Sequence, residues 1–264
     1  MNLSAEHLDE LGEARRLLER MPFLVKATNL LGSPIEKGIE ILPAAVQGSI
    51  AKATTASLEK ALEWAVRTMD VDSVTAYPRL HMAAVAVSGA VGGAFGLPAL
   101  LVEVPFSTMV MLRSIADIAR ANGERLTDIE TRLQCLSVFS LGGASRGDDA
   151  AETGYYAVRA SLASLVTEAA AHLAGKHAGE RLTTNIPALL TLIARIGARF
   201  NIQVSEKAMA QLVPIAGAAG GAIINTLFID HFQDVSRGHF TVRRLERQYG
   251  EAAVRRAWQD LESP

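Results

Sequence analysis

Two acidic residues stand where an acid needs a reason. Glu103 is the single charge between His81 and Arg113, within "MAAVAVSGAVGGAFGLPALLVEVPFSTMVML". Asp230 closes a second uncharged run, "AMAQLVPIAGAAGGAIINTLFI", which extends from Ala208 to Ile229. A carboxylate at either place must be hydrated, paired or neutralised. Arg113, His81, Lys207 and His231 are the candidate counter-charges. If Glu103 and Asp230 instead line a pocket with His231 and His239, the four supply carboxylates and imidazoles for acid–base work, for instance on a lipid-like substrate. A salt bridge or a helix-terminal hydrogen bond is the commoner fate, because natural folds normally pair buried charges.

Other chemistry-bearing patterns are weaker. "GASRG", Gly143 to Gly147, has the G-x-S-x-G form of a serine elbow, but the segment before it has helical spacing and no parallel strand precedes it. It reads better as an interhelical loop. "SLEK", Ser57 to Lys60, has the S-x-x-K form without its companion motifs. Metal ligation could draw on Asp230, His231, Asp234 and His239, or on Glu168 and His172 one helical turn apart, yet no H-E-x-x-H or cysteine cluster supports it. "GAVGGAFG" lacks the strand and downstream acid of a dinucleotide turn. No metal and no cofactor is expected.

The elements that must place these residues are helices. Hydrophobic residues make up 49% and aromatics only 5% of the chain, with abundant Ala and Leu, which favours an all-α protein. Residues 1–20 read as an amphipathic helix with Leu8, Leu11, Leu17 and Leu18 near one face. A short helix follows Pro22, and Ser33 with Pro34 opens a segment stopped by Pro43. Residues 44–69 form a longer helix. The first apolar run divides at "GLP" into helices over 80–96 and 97–121, with Pro105 expected to kink or restart the second. Thr127 and Glu130 have capping-box spacing for a helix to about Leu141. Helices over 150–174 and from Pro187 to about Phe200 come next, Ser205 with Glu206 opens the second apolar run, and the basic tail from Ser236 folds as two helices around Gly250.

Gly92, Gly93 and Gly96 in the first run, and Gly217, Gly220 and Gly221 in the second, have the small-x-x-x-small spacing that lets helices approach closely. Each run is about as long as a bilayer core is thick, but Pro98 cuts the first, and mean hydropathy is a modest +0.20. Buried hairpins and membrane contact therefore both stand. Arg237, Arg243, Arg244 and Arg247 in the tail either meet anionic headgroups or pair with nearby glutamates. A net charge of -2 offers no basic field for nucleic acid. The single Cys135 excludes an intrachain disulfide, and the N-terminus lacks a signal-peptide pattern, so the cytoplasm is the expected compartment.

The stretches "LLGSPIEKGIEILP", "FGLPALLVEVPFSTMVMLRSIADIAR", "CLSVFSLGG", "DDAAETGYYAVR" and "VSEKAMAQLVPIAGAAGGAIINTLFIDHFQDVSRGHFTVRRLERQYG" together resemble the EcsC family of bacterial proteins, over roughly residues 20 to 250. The resemblance implies a helical protein associated with a membrane, peripheral to or partly inserted in the inner membrane, with membrane lipid or a membrane protein as partner. It transfers no catalytic residues. The expectation is an all-α, single-domain multi-helix bundle with two central Gly/Ala-rich apolar hairpins: an N-terminal helix over 1–20 and an EcsC-like domain over 21–264. Its function is binding or membrane association rather than catalysis.

Overall fold

The computed structural model describes residues 3–19, 27, 43–68, 97–141, 154–174, 186–212 and 217–261. Among them are eight α-helices and no strand: α1 (Ala5–Glu19), α2 (Ala44–Thr68), α3 (Leu97–Ala121), α4 (Ile129–Ser137), α5 (Tyr155–Ala174), α6 (Pro187–Leu212), α7 (Gly217–Tyr249) and α8 (Glu251–Asp260). A 3-10 turn, Val138–Ser140, extends α4. The chain is an all-α multi-helix bundle. The expected helix over 80–96 with Gly92, Gly93 and Gly96, the segment from Pro22 to Pro34 apart from Ala27, His81 and "GASRG" lie outside the described residues.

Boundaries that follow from local chemistry match the sequence reading closely. α2, α3 and α6 start at or just before the prolines or loop residues expected to open them. Gly250 separates α7 from α8 with a φ of 85°, a left-handed conformation that favours glycine. The restart of α3, the end of α6 and the start of α4 are corrected, and packing explains the first two. α3 passes Pro105 without a restart, because Met111, Leu112, Ile115, Ala116 and Ala119 continue its buried face against α2 and α7. α6 does not end at Phe200 and reopen at Ser205. Its fully buried Leu192, Ile196, Phe200, Val204 and Ala208 recur every four residues through that point.

α7 likewise runs without interruption from the second apolar run into the basic tail. Phe228, Phe232, Val235, His239, Val242 and Leu245 form one buried stripe, so 33 residues make a single helix about 50 Å long. The second apolar run is thus divided between the adjoining ends of α6 and α7 rather than forming one element. α4 begins one residue later than the capping box would place it. Asp128 is the N-cap, and Thr127 donates to the Asp128 carboxylate instead of accepting from an amide of the first turn.

The centre of the bundle is aromatic. Phe139, Phe200, Phe228 and Phe232 meet with ring centroids 4.7–6.3 Å apart, joining the end of α4 to α6 and α7. Around them α2 packs on α3 and α6, α5 on α4 and α6, and α1 on α7 and α8. Cys135 is buried, and burial raises its thiol pKa far above the ordinary value, so it is an inert core residue. Arg132 ties α4 to the end of α2 by donating to the carbonyls of Leu126, Thr127 and Val66.

Gly238 of α7 marks a tight approach between helices. A Cβ there would stand 2.7 Å from Leu18 Cγ and 2.9 Å from the Ala14 carbonyl oxygen of α1. The oxygen is backbone and cannot swing away. Gly48, by contrast, is exposed in α2 with nothing within 4 Å. Urea unfolding is expected to show Gly238→Ala destabilised by about 1–3 kcal/mol from overpacking. Gly48→Ala should gain about 0.5–1 kcal/mol from helix propensity.

Candidate functional site

Glu103 finds its counter-charge in Lys207. The Nζ of Lys207 donates to Glu103 Oε2 at 2.6 Å, and Asn225 Nδ2 donates to Oε1 at 3.0 Å. α3, α6 and α7 each supply one member, and all three side chains are buried. The ammonium also lies 4.8 Å from the centroid of Phe228. Burial pushes the pKa of Lys207 down, while the Glu103 charge and hydrogen bond oppose that shift. Each carboxylate oxygen therefore has a donor, and the apolar run carries a neutralised acid rather than a bare one. Arg113, another candidate partner, lies 3.7 Å from the buried Asp117.

The four residues proposed for acid–base chemistry do not gather into one site. Glu103 sits at the level of Asn225, whereas His239 lies fourteen residues further along α7, about 21 Å on the helix axis. Asp230 is half-buried between these levels, and His231 packs edge-on to Phe232 with centroids 5.2 Å apart. His239 belongs to a second cluster. Arg159 of α5 pairs with Glu246 through two hydrogen bonds of 2.8 and 2.6 Å and reaches Tyr155 Oη at 3.4 Å. Tyr155 Oη is 2.9 Å from His239 Nδ1. The His239 tautomer sets the direction of that bond, and Nε2 has no partner among the described residues.

Burial and the charges of Arg159 and Arg243 hold the His239 pKa well below its ordinary value, so the ring is neutral. Burial also pushes the Tyr155 hydroxyl up. Neither group is poised to exchange protons near neutral pH. The other motifs are engaged locally: Ser57 donates to the Ala53 carbonyl at 2.6 Å while Lys60 is exposed, and His172 Nδ1 lies 2.9 Å from the Glu168 carbonyl. Asp234 pairs with Arg237, which removes it from the suggested ligand set.

The basic row of α7 binds carboxylates of its own chain. Arg237 pairs with Asp234 at 2.9 Å, Arg244 with Glu10 of α1 at 2.6 Å, and Arg243 with Glu124 at 2.8 Å. Arg247 joins Arg243 on Glu124 and also donates to the Asn122 carbonyl at 2.6 Å. Glu124 is buried and further held by Thr131. Burial opposes its ionisation, but the hydrogen bonds and charges of Arg243 and Arg247 outweigh this and hold its pKa below the ordinary 4.5. Nothing in its local sequence singles out Glu124; only the spacing of arginines on α7 hinted that acids would be needed.

What decides the family is a match of sequence over most of the chain. Residues 7–245 match the model of the EcsC protein family. The chain is an EcsC protein. The matched segment begins within α1. No curated protein and no solved structure matches the chain. In this EcsC protein Glu103, Lys207 and Asn225 all fall within the matched segment, as does every paired arginine of α7 except Arg247.

Two outcomes follow for the EcsC protein. Lys207→Met alone should cost about 3–5 kcal/mol by chemical denaturation, since it strands a buried carboxylate. Adding Glu103→Gln removes the charge while keeping an acceptor for Asn225, and most of the loss should return. Glu124, in turn, has a folded-state pKa below its unfolded value, so its contribution is present above about pH 4.5 and fades as pH falls through the lowered value. The stability gap between wild type and Glu124→Gln should be widest at pH 7 and close in acid; a gap independent of pH would contradict this.

Proposed function

We infer that this EcsC protein is a non-catalytic helical module that binds a lipid surface through the end of the bundle built around Glu103 and Lys207. The observation that carries the reading is the exposure of three large apolar side chains there. Phe106 of α3 is 49% exposed, Ile202 of α6 is 41% and Ile223 of α7 is 44%. Each lies within five residues of a member of the Glu103, Lys207 and Asn225 cluster, about 8 Å or less along its own helix.

An apolar end is compatible with a lipid interface only if it carries no bare charge. The ion pair meets that condition, because the one acid in this part of α3 is neutralised by a lysine that is itself fully buried. No helix of the described residues is long and apolar enough to cross a membrane. A contact made by three side chains is peripheral and reversible. Burying the exposed half of each contributes about 1 kcal/mol apiece. The α7 arginines add little, since their charges are already answered by Glu10, Glu124 and Asp234. The partner is the lipid of the inner membrane, met from the cytoplasmic side.

Vesicle flotation tests this. The protein should float with both zwitterionic and anionic vesicles, with little loss on raising salt, and the variant Phe106→Ser/Ile202→Ser/Ile223→Ser should stay at the bottom. Flotation that needs anionic lipid, or that survives the triple substitution, would sink the reading.

A further inference from the structure

Where α1 and α8 lie side by side they border an open groove of ≈ 610 Å³ with a mixed polar and apolar lining. Leu3 and Leu8 line it from the α1 side, and Ala253, Ala257 and Leu261 from the α8 side. Leu8 is 37% exposed, although Leu11 and Leu18 of the same helix are packed. Two charges of opposite sign, Arg256 and Asp260, complete the lining one turn apart on α8.

Both charges are exposed, and neither has an ion-pair partner among the described residues, in contrast to the α7 arginines. The order explains why they do not pair with each other: the base precedes the acid, which is the weaker arrangement at i,i+4, and the aspartate is short. The Arg256 Nε reaches the Ala252 carbonyl of its own helix instead. A base and an acid on one helix face are, however, complementary to the same face turned end for end. Two copies of α8 laid antiparallel about a two-fold axis bring Arg256 of each to Asp260 of the other, giving two ion pairs from one patch. Ala257, small and near the centre of that arrangement, permits close approach, and the leucines of α1 close over the flanks.

We propose that the α1/α8 groove is a self-association surface whose occupant is a second copy of this chain, docked through α8 with reciprocal Arg256 and Asp260 pairs. The lining is far smaller than the roughly 20–30 residues a side of a standard interface, so the dimer is weak and concentration-dependent. It is independent of the lipid-binding reading, which concerns the other end of α6 and α7.

Sedimentation equilibrium of the full chain, without lipid and over about a hundredfold range of concentration, reads it directly. The apparent mass should rise from 28.1 kDa toward twice that value. Arg256→Asp and Asp260→Arg each place like charges opposite one another and should weaken association about tenfold. An equimolar mixture of the two variants should recover it, because one chain then carries acids at both positions and the other carries bases at both. Both sites are exposed, so circular-dichroism melts should be unchanged. A chain that stays monomeric throughout, a dimer indifferent to either variant, or a mixture no tighter than the variants alone would each overturn the proposal, the groove then belonging to a lipid chain or a foreign helix.

Discussion

One buried lysine sets the terms for half of this molecule. A fully buried ammonium is costly to hold in protein, and Lys207 is tolerable only because Glu103 lies at 2.6 Å and the Phe228 ring covers it. The carboxylate is equally dependent, taking its second donor from Asn225. Three helices distant in sequence must therefore arrive at one level with their side chains in register. Apolar stripes on α3, α6 and α7 can slide against one another at modest cost, but a slip that parts the pair leaves a charge in the core. Parting the pair is therefore penalised more heavily than its own net contribution to stability would suggest.

The other half depends on α7. Its buried stripe packs on α1, α3 and α6, and its polar face supplies the arginines that close on Glu10 and Glu124 and the Glu246 that receives Arg159. Core packing and charge pairing are thus both carried by one long helix. The neutral Tyr155–His239 pair is enclosed by Arg159, Arg243 and the Trp258 ring. A polar core of this kind ties α5 and α8 to α7 with direction as well as contact.

What was legible in the sequence and what was not divides along physical lines. Helix composition, the Gly250 break and the start of α3 follow from residues near in sequence, and they stand as read. The join at Phe200 does not, because the signal for a break there was local while the reason for continuity is a core stripe made by distant helices. Lys207 was recognisable as a possible mate for Glu103 because it immediately precedes the second apolar run. Choosing it over Arg113 needed the third dimension. Glu124 and the tight contact at Gly238 gave no such clue, since an acid in a turn and a glycine in a polar stretch look ordinary until α1 and the α3–α4 turn are brought against α7.

Arg15 of α1 donates to the carbonyls of Trp258 and Leu261 at 3.1 and 2.7 Å, satisfying acceptors that the end of α8 would otherwise leave open. Glu10 and His7 meet Arg244 and Tyr249 across an equally long stretch of chain. During synthesis α1 therefore emerges long before the helices it packs on. While the ribosome extends the roughly two hundred residues between them, α1 has its apolar face uncovered, with Leu11, Ala14 and Leu18 waiting for a partner that does not yet exist. Among the described contacts, this docking closes the longest loop, so it is the last seam that the emerging chain can form.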